Sequence, residues 1–239
     1  MKINCIITCA GKGSRFDKKK DKNLHKINNK SLIENIFLKI KNYSNKIIIV
    51  CNYKNIKQIQ KILGKYNKNF KILYKIQKKQ DGMASAINVG LKNVSSENFF
   101  IIWGDQLYIK KHTIKKCIQS HLKNKNLITF PYFRVKDPYT FIIKDKNKNF
   151  KNILQKREVN FHYKSGESDC GLFVCKTKLI KNNLPKLIKT KSIITRKTKE
   201  HDFLKSFKFF SKIGNINLIR ASSALETKGI NFKKDIGLN

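Results

Sequence analysis

The stretch from Ile6 to Phe16, IITCAGKGSRF, runs from apolar residues directly into two glycines and two cations. Glycine lacks a Cβ and tolerates positive φ, so Gly11 and Gly13 let backbone amides close on a bulky anion. Lys12 and Arg15 add charge beside those amides, and Ala10 and Ser14 belong to the same turn. The spacing is not that of a Walker A loop, which needs four residues between its glycine and its Gly-Lys. It also lacks the third glycine of the dinucleotide fingerprint, because Phe16 follows Arg15. By themselves these residues fit a phosphate loop of another kind or an ordinary turn. Asp105 ends the apolar run FFIIWGD, either as a turn residue or as an acid where α/β sheets collect ligands. The histidines, His25, His112, His121, His162 and His201, have no ligand spacing, and Trp103 is a core or pocket-wall residue.

Alternating elements must position these groups. INCIIT, KIIIVC, FKILYKI and FFIIWGD have the character of buried strands, separated by helices at SLIENIFLKI, IKQIQKIL and GMASAINVGL. Ser31 is the expected N-cap of the first helix, with Glu34 closing a capping box, and Gly64 is the expected stop of the second. This order implies a mostly parallel sheet with right-handed crossovers. After about Ile109 the pattern loosens: a helix at HTIKKCIQSHL, strands at NLITFPYF, YTFIIKD, FKNILQKRE and DCGLFVCKT, a Lys-rich loop, a helix near HDFLKSFKFF and a strand at INLIR. We expect one domain over residues 1–239, with an α/β half (1–109) followed by a more antiparallel half (110–239).

The formal charge is +38, from 53 Lys+Arg against 15 Asp+Glu. Nucleic-acid readers favour arginine and local aromatic patches. Here arginine occurs only at positions 15, 134, 157, 196 and 220, and the lysines run along the whole chain. Lysine, asparagine and isoleucine share A/T-rich codons, so a biased genome gives this composition without a polyanion partner. A solvated basic surface and an anionic small-molecule substrate are the expectation. The six cysteines form no CxxC pair and no zinc spacing, which fits reduced thiols in a cytoplasmic protein. No apolar run approaches the roughly 18 residues of a membrane span, and no signal peptide opens the chain.

The continuation AGKGSRF…KNLHKINNKSLIENI resembles the N-terminal signature of the sugar-phosphate nucleotidyltransferases. It is most similar to the uridylyltransferase domain that acts on N-acetylglucosamine 1-phosphate. Asp21-Lys22-Asn23-Leu24 stands at that family's P-K-x-L, keeping the cation and losing the proline. YKIQKKQDGMASAI resembles the base-recognition segment, with Gln77, Gln80 and Gly82 on its positions and an Asp81-Gly82 form closer to the thymidylyltransferases. FFIIWGDQL, KNILQKRE, ESDCGLFVCKT and ETKGINFKKDI follow in family order over nearly the whole chain.

The resemblance implies an α/β, Rossmann-like GT-A type fold with a mixed, mostly parallel sheet flanked by helices. It implies transfer of a nucleoside monophosphate from an NTP, a pyrimidine being favoured, to a phosphorylated acceptor, with release of pyrophosphate. Ala10, Gly11, Lys12, Gly13, Ser14 and Arg15 then hold the leaving phosphates, Lys22 faces the α-phosphorus, and Gln77, Gln80 and Gly82 face the base. Asp105 and Asn231 hold Mg²⁺. Gln155, Asp169 and Asp202 fall on acceptor positions, Gln155 replacing the family's Glu and Asp169 its Asn. The expected G-Y-G is reduced to YTFII. These departures open a small phosphorylated or phosphonate alcohol, as for the cytidylyltransferases, as an alternative to a sugar 1-phosphate. A non-catalytic nucleotide- or polyanion-binding module with the same fold is a further alternative, and a GT-A glycosyltransferase would need a D-x-D motif that WGDQL does not supply.

Overall fold

The computed structural model describes residues 2–11, 13, 15–17, 20–159 and 163–237. The first half alternates β1 (Ile3–Thr8), β2 (Lys26–Ile27), β3 (Lys30–Ser31), α1 (Leu32–Ile40), β4 (Ser44–Cys51), α2 (Ile56–Leu63), β5 (Ile72–Ile76), α3 (Met83–Leu91) and β6 (Asn98–Trp103). The second half runs α4 (Lys111–Asn124), β7 (Ile128–Lys136), β8 (Thr140–Lys144), β9 (Phe150–Gln155), β10 (Ser165–Asp169), β11 (Leu172–Lys176), α5 (Thr177–Lys189), α6 (Phe207–Ile213) and β12 (Ile216–Arg220). The main sheet has the order β10-β7-β11-β6-β1-β4-β5, with β12 also paired to β7. β1, β4, β5 and β6 run parallel, whereas β11 pairs antiparallel with both β6 and β7. The α/β architecture expected from the motifs, a mixed and mostly parallel sheet flanked by helices, is therefore the one observed. β8 and β9 form a separate antiparallel hairpin.

The sheet is buried on both faces, which is why β1 and β4 are continuous apolar runs rather than alternating ones. Cys5, Ile7 and Cys9 pack with α1, α2 and α4 on one face, while Ile6 and Ala10 pack with α3, α5 and α6 on the other. All six cysteines are free and buried, and burial raises the thiol pKa of Cys5, Cys9, Cys51, Cys117, Cys170 and Cys175. His121 is likewise structural: buried between Thr129 and Asn98, its pKa is lowered to about 4 by desolvation. Among the described residues, no helix is long and apolar enough to cross a membrane.

Three expectations change. The Lys-rich segment expected as a loop is α5, because Ile180 and Leu184, one turn apart, bury a stripe that the surrounding lysines mask in sequence. The strand expected at DCGLFVCKT is β11, which begins at Leu172, but an unexpected strand precedes it: β10 ends at Asp169 and Gly171 turns the chain at φ +63°. The capping box at α1 is half made. The Ser31 hydroxyl accepts from the Glu34 amide (3.3 Å), but the Glu34 carboxylate turns away to Lys65 and Tyr66.

Gly82 marks a tight junction between the base segment and the second half. Its φ is +121°, and a Cβ there would lie 2.6 Å from the His201 backbone nitrogen. That backbone is clasped from both sides, His201 donating to the Asp81 carbonyl (2.7 Å) and the Ala84 amide donating to the His201 carbonyl (3.0 Å). Gly82→Ala is therefore expected to cost about 2–3 kcal/mol, a fall of roughly 4–12 °C in melting temperature for a chain of this size. Gly11→Ala, where a Cβ meets nothing within 4 Å, is expected to leave the thermal transition unchanged. Thermal denaturation followed by circular dichroism reads both.

Candidate active site

The C-terminal ends of β1 and β6 lie side by side, Thr8 in register with Trp103. Gly104 donates its amide to the Thr8 carbonyl (3.0 Å), and a Cβ on it would come within 2.5 Å of that oxygen. Only glycine lets the turn carrying Asp105 sit this close to the start of the glycine-cation loop. In that loop Gly13 has φ +62° and its carbonyl accepts from Phe16 (3.0 Å), closing a turn that hands the chain to Arg15. Side-chain amides cap the upstream carbonyls: Asn55 and Asn23 donate to Cys9, and Asn52 and Gln80 donate to Ala10. Those oxygens are thereby satisfied by the protein instead of facing an incoming anion. Lys12 and Ser14 lie outside the described residues.

Four side chains expected in the reaction meet at this edge. Lys22 Nζ donates to Asp105 Oδ2 (2.7 Å) and to the Ile230 carbonyl (3.1 Å), and Arg15 Nη2 donates to Asn231 Oδ1 (2.9 Å). The Ile230 amide returns a bond to the Asp105 carbonyl (2.9 Å). Segments far apart in the chain are thus tied into one cluster by charge-assisted hydrogen bonds.

Two adjoining cavities share this cluster. The larger, about 480 Å³, is lined by Gly11, Gly13, Lys22, Gln77, Gln80 and Gly82 among others. Gln77, Gln80 and Gly82 therefore come together with the phosphate-loop end as the sequence implies. Gln77 is buried, and its amide donates to the Gly82 carbonyl (3.0 Å) and to Asp81 (3.2 Å), so it braces the segment it belongs to. The smaller cavity, about 150 Å³, contains Gln155, Asp169 and Asp202 together with Trp103, Gln106 and Tyr139. Arg15, Met83, Asp105, Arg157 and Asn231 line both.

The acceptor-side carboxylates are deeply buried. Asp169 accepts from the Thr140 hydroxyl (2.6 Å) and the Gly171 amide (2.8 Å), and burial raises its pKa. Asp202 accepts from the Leu204 amide (2.9 Å) and from Gln155 Nε2 (2.5 Å), and desolvation lifts its pKa to about 6. Gln155 in turn accepts from Arg157 Nε (3.1 Å), whose guanidinium also reaches Glu200 (3.4 Å).

Asp105 and Asn231 offer one carboxylate and one amide oxygen, the hard donors that a magnesium ion completes with water and substrate phosphates. Gly229 leaves this edge of Asp105 approachable, since a Cβ there would press at 3.2 Å on both Cγ and Oδ1. The donor set fits such an ion. Among the described residues no three His, Cys, Asp or Glu side chains converge on a metal-sized site.

Arg157, Thr140 and Gln106 were not legible as site residues. Arg157 is one cation among 53, and only the β8–β9 hairpin brings it to the boundary between the cavities. The lone usable signal was its place two residues after Gln155.

The family model described as the MobA-like NTP transferase domain matches residues 5–160. The chain is 28% identical over 241 residues to the "Bifunctional protein GlmU" of Buchnera aphidicola, covering 99% of this chain and 50% of that protein. It is 24% identical over 245 residues to the "Probable UDP-N-acetylglucosamine pyrophosphorylase" of Acanthamoeba polyphaga mimivirus, covering 98% and 94%. The chain spans about half the length, or less, of the bacterial relatives it matches. Among solved structures, a putative glucose-1-phosphate thymidylyltransferase from Bacillus anthracis superposes with a TM-score of 0.75 at 19% identity, covering 92% of this chain and 87% of that one. This likeness supports the fold. Asp169, Asp202 and Asn231 lie beyond the region matched to the family model.

Asp202 gives the site a pH signature. Its folded value of about 6 exceeds the unfolded value of about 3.9, so folding favours the protonated acid. The penalty of the buried carboxylate is full above pH 6 and is lost as pH falls towards 4. Asp202→Asn is therefore expected to stabilise the protein at pH 8 by up to about 3 kcal/mol, with the gain shrinking to nothing near pH 4. Denaturant titrations at the two pH values measure the difference.

Proposed function

The chain belongs to the MobA-like NTP transferase family, and on that footing we propose that it transfers a nucleoside monophosphate from a pyrimidine NTP to a sugar 1-phosphate or similar phosphorylated acceptor. The observation that carries this reading is the cluster of Arg15, Lys22, Asp105 and Asn231 at the seam of two adjoining cavities. Two polyanions must meet for the reaction, so the task is charge neutralisation and in-line positioning. A cleft with the glycine loop at one end and an acid-lined cavity at the other suits a triphosphate facing a phosphorylated acceptor.

The acceptor phosphate oxygen attacks the α-phosphorus; the new P–O bond forms as the bond to the β-phosphate oxygen breaks, and pyrophosphate leaves. The acceptor is already an anion at neutral pH, so no side chain has to remove a proton. Arg15 and the Gly11–Gly13 backbone hold the leaving phosphates, Lys22 stabilises charge developing at the α-phosphorus, and Gln77, Gln80 and Gly82 receive the base. Arg157, at the boundary, faces the acceptor phosphate. Asp105 and Asn231 would hold Mg²⁺, which when bound neutralises phosphate charge as a Lewis acid. The buried, unpaired cysteines support a cytoplasmic setting for this enzyme, and the similarity to proteins named for UDP-N-acetylglucosamine synthesis supports a role in nucleotide-sugar supply for cell-surface polysaccharides.

Pyrophosphate release, coupled to pyrophosphatase and followed across UTP, CTP and dTTP with a panel of phosphorylated acceptors and Mg²⁺, tests the proposal. Lys22→Ala and Asp105→Asn are each expected to lower kcat/KM by about 100-fold or more. Full activity in either variant, or no turnover with any pair, contradicts it.

A further inference from the structure

Resting on the nucleotidyl-transfer reading, we propose that Glu226 and Lys39, which line neither cavity, are positioning residues. Together they hold the turn of Asp105 against the segment of Asn231, and so set the spacing of the two oxygen ligands offered to Mg²⁺. Asp105 and Asn231 belong to different turns, and their separation is fixed by whatever fastens those turns together.

Residues 105–110 and 226–231 pair antiparallel and are tied at both ends. At the near end the Ile230 amide donates to the Asp105 carbonyl (2.9 Å), and a Cβ on Gly229 would press on Asp105 Cγ at 3.2 Å. At the far end the Lys110 amide donates to Glu226 Oε2 (3.0 Å). Lys110 lies five residues after Asp105, and Glu226 five before Asn231. The Glu226 bond therefore closes a ladder whose other end is the catalytic cluster.

Glu226 is 0% exposed, and its Oε1 accepts from the Ser222 (2.8 Å) and Ser223 (3.1 Å) amides. One carboxylate thus gathers three backbone donors, and it forms no ion pair among the described residues. A buried carboxylate without a cation is costly, and charge-assisted bonds from amides offset that cost. Its charge is used on backbone geometry.

Lys39 grips the same turn from α1. Its Nζ donates to the Leu107 carbonyl and to the Ile109 carbonyl (3.1 Å). Burial lowers the Lys39 pKa, while the Glu226 carboxylate acts to raise it. The turn after Asp105 therefore has its carbonyls held by a cation and its last amide held by an anion. Glutamine at 226 would offer one carbonyl oxygen and an NH₂ that itself donates. It could serve the two serine amides or the Lys110 amide, but not both.

Calorimetry on the full chain tests this, with α,β-methylene analogues of UTP, CTP and dTTP titrated in excess Mg²⁺ and again in EDTA. For the analogue that binds best, the ratio of the two affinities measures the metal's contribution. Glu226→Gln is expected to reduce that ratio about 10-fold, the scale of losing a group that orients a metal ligand, with affinity in EDTA kept within about 2-fold. Lys39→Met is expected to move the ratio in the same direction, and decides the matter should Glu226→Gln fail to fold. Ile180→Ala, in α5, which lines neither cavity, is the control: it lowers the melting temperature and leaves the ratio unchanged. A purely structural Glu226 would behave like that control. An unchanged ratio in either folded variant overturns the proposal, as does binding to the unsubstituted chain that Mg²⁺ does not strengthen. Pyrophosphate release, followed in parallel, separates the two readings. Release together with an unchanged ratio refutes the positioning role and leaves nucleotidyl transfer standing. A reduced ratio without release from any NTP does the reverse.

Discussion

Everything at the cleft depends on the pairing of Lys22 with Asp105 at the C-terminal edge of the sheet. Lys22 comes from a short 3-10 turn after the glycine loop, and Asp105 from the turn after β6. The Lys22 ammonium also holds the Ile230 carbonyl, so a single cation ties the first turn, the central strand and the C-terminal segment together. Each of the two residues proposed to hold Mg²⁺ carries a cation of the protein: Lys22 on Asp105 and Arg15 on Asn231. In the proposed reaction these internal pairs would be exchanged for phosphate and metal contacts with little change in charge balance.

The sheet explains why the cluster forms here. β6 has β1 as a parallel neighbour and β11 as an antiparallel one, so the sheet changes direction beside it. Crossover helices cover the parallel side, and a hairpin closes the other. The gap between them is where open α/β sheets take ligands. The Gly171 carbonyl accepts from the Trp103 amide (3.0 Å), which sets the Asp169–Gly171 turn directly beside the turn of Asp105. The two cavities adjoin because two adjacent strand connections, one from each half, are fastened at that point.

Much of the donor side was legible in the sequence, because its signals are local. Glycines at 82 and 104 serve close approaches that no side chain could share, Gly13 holds a positive φ, and the apolar runs of β1, β4 and β6 leave little choice of element. The acceptor side was only partly legible. Gln155, Asp169 and Asp202 stood out as substitutions at family positions, but their mutual geometry depends on Thr140 and Arg157, which hairpin packing brings in from elsewhere in the chain. α5 was hidden by composition, its apolar stripe diluted by lysine and interrupted by Pro185. Glu34 satisfies the sequence rule for a capping box, yet Lys65 and Tyr66 offer its carboxylate stronger partners. Local pattern yields where a longer-range charge pair competes.

The central claim is direct transfer between two bound phosphates, with cations and oxygen ligands arranged around one in-line displacement and no side chain becoming covalently nucleotidylated. The stereochemical course at the α-phosphorus tests it most directly, using an NTP of defined α-phosphorothioate configuration and analysing the product by ³¹P NMR. The account predicts inversion. Retention would mean two successive displacements through a nucleotidylated side chain, and would contradict it.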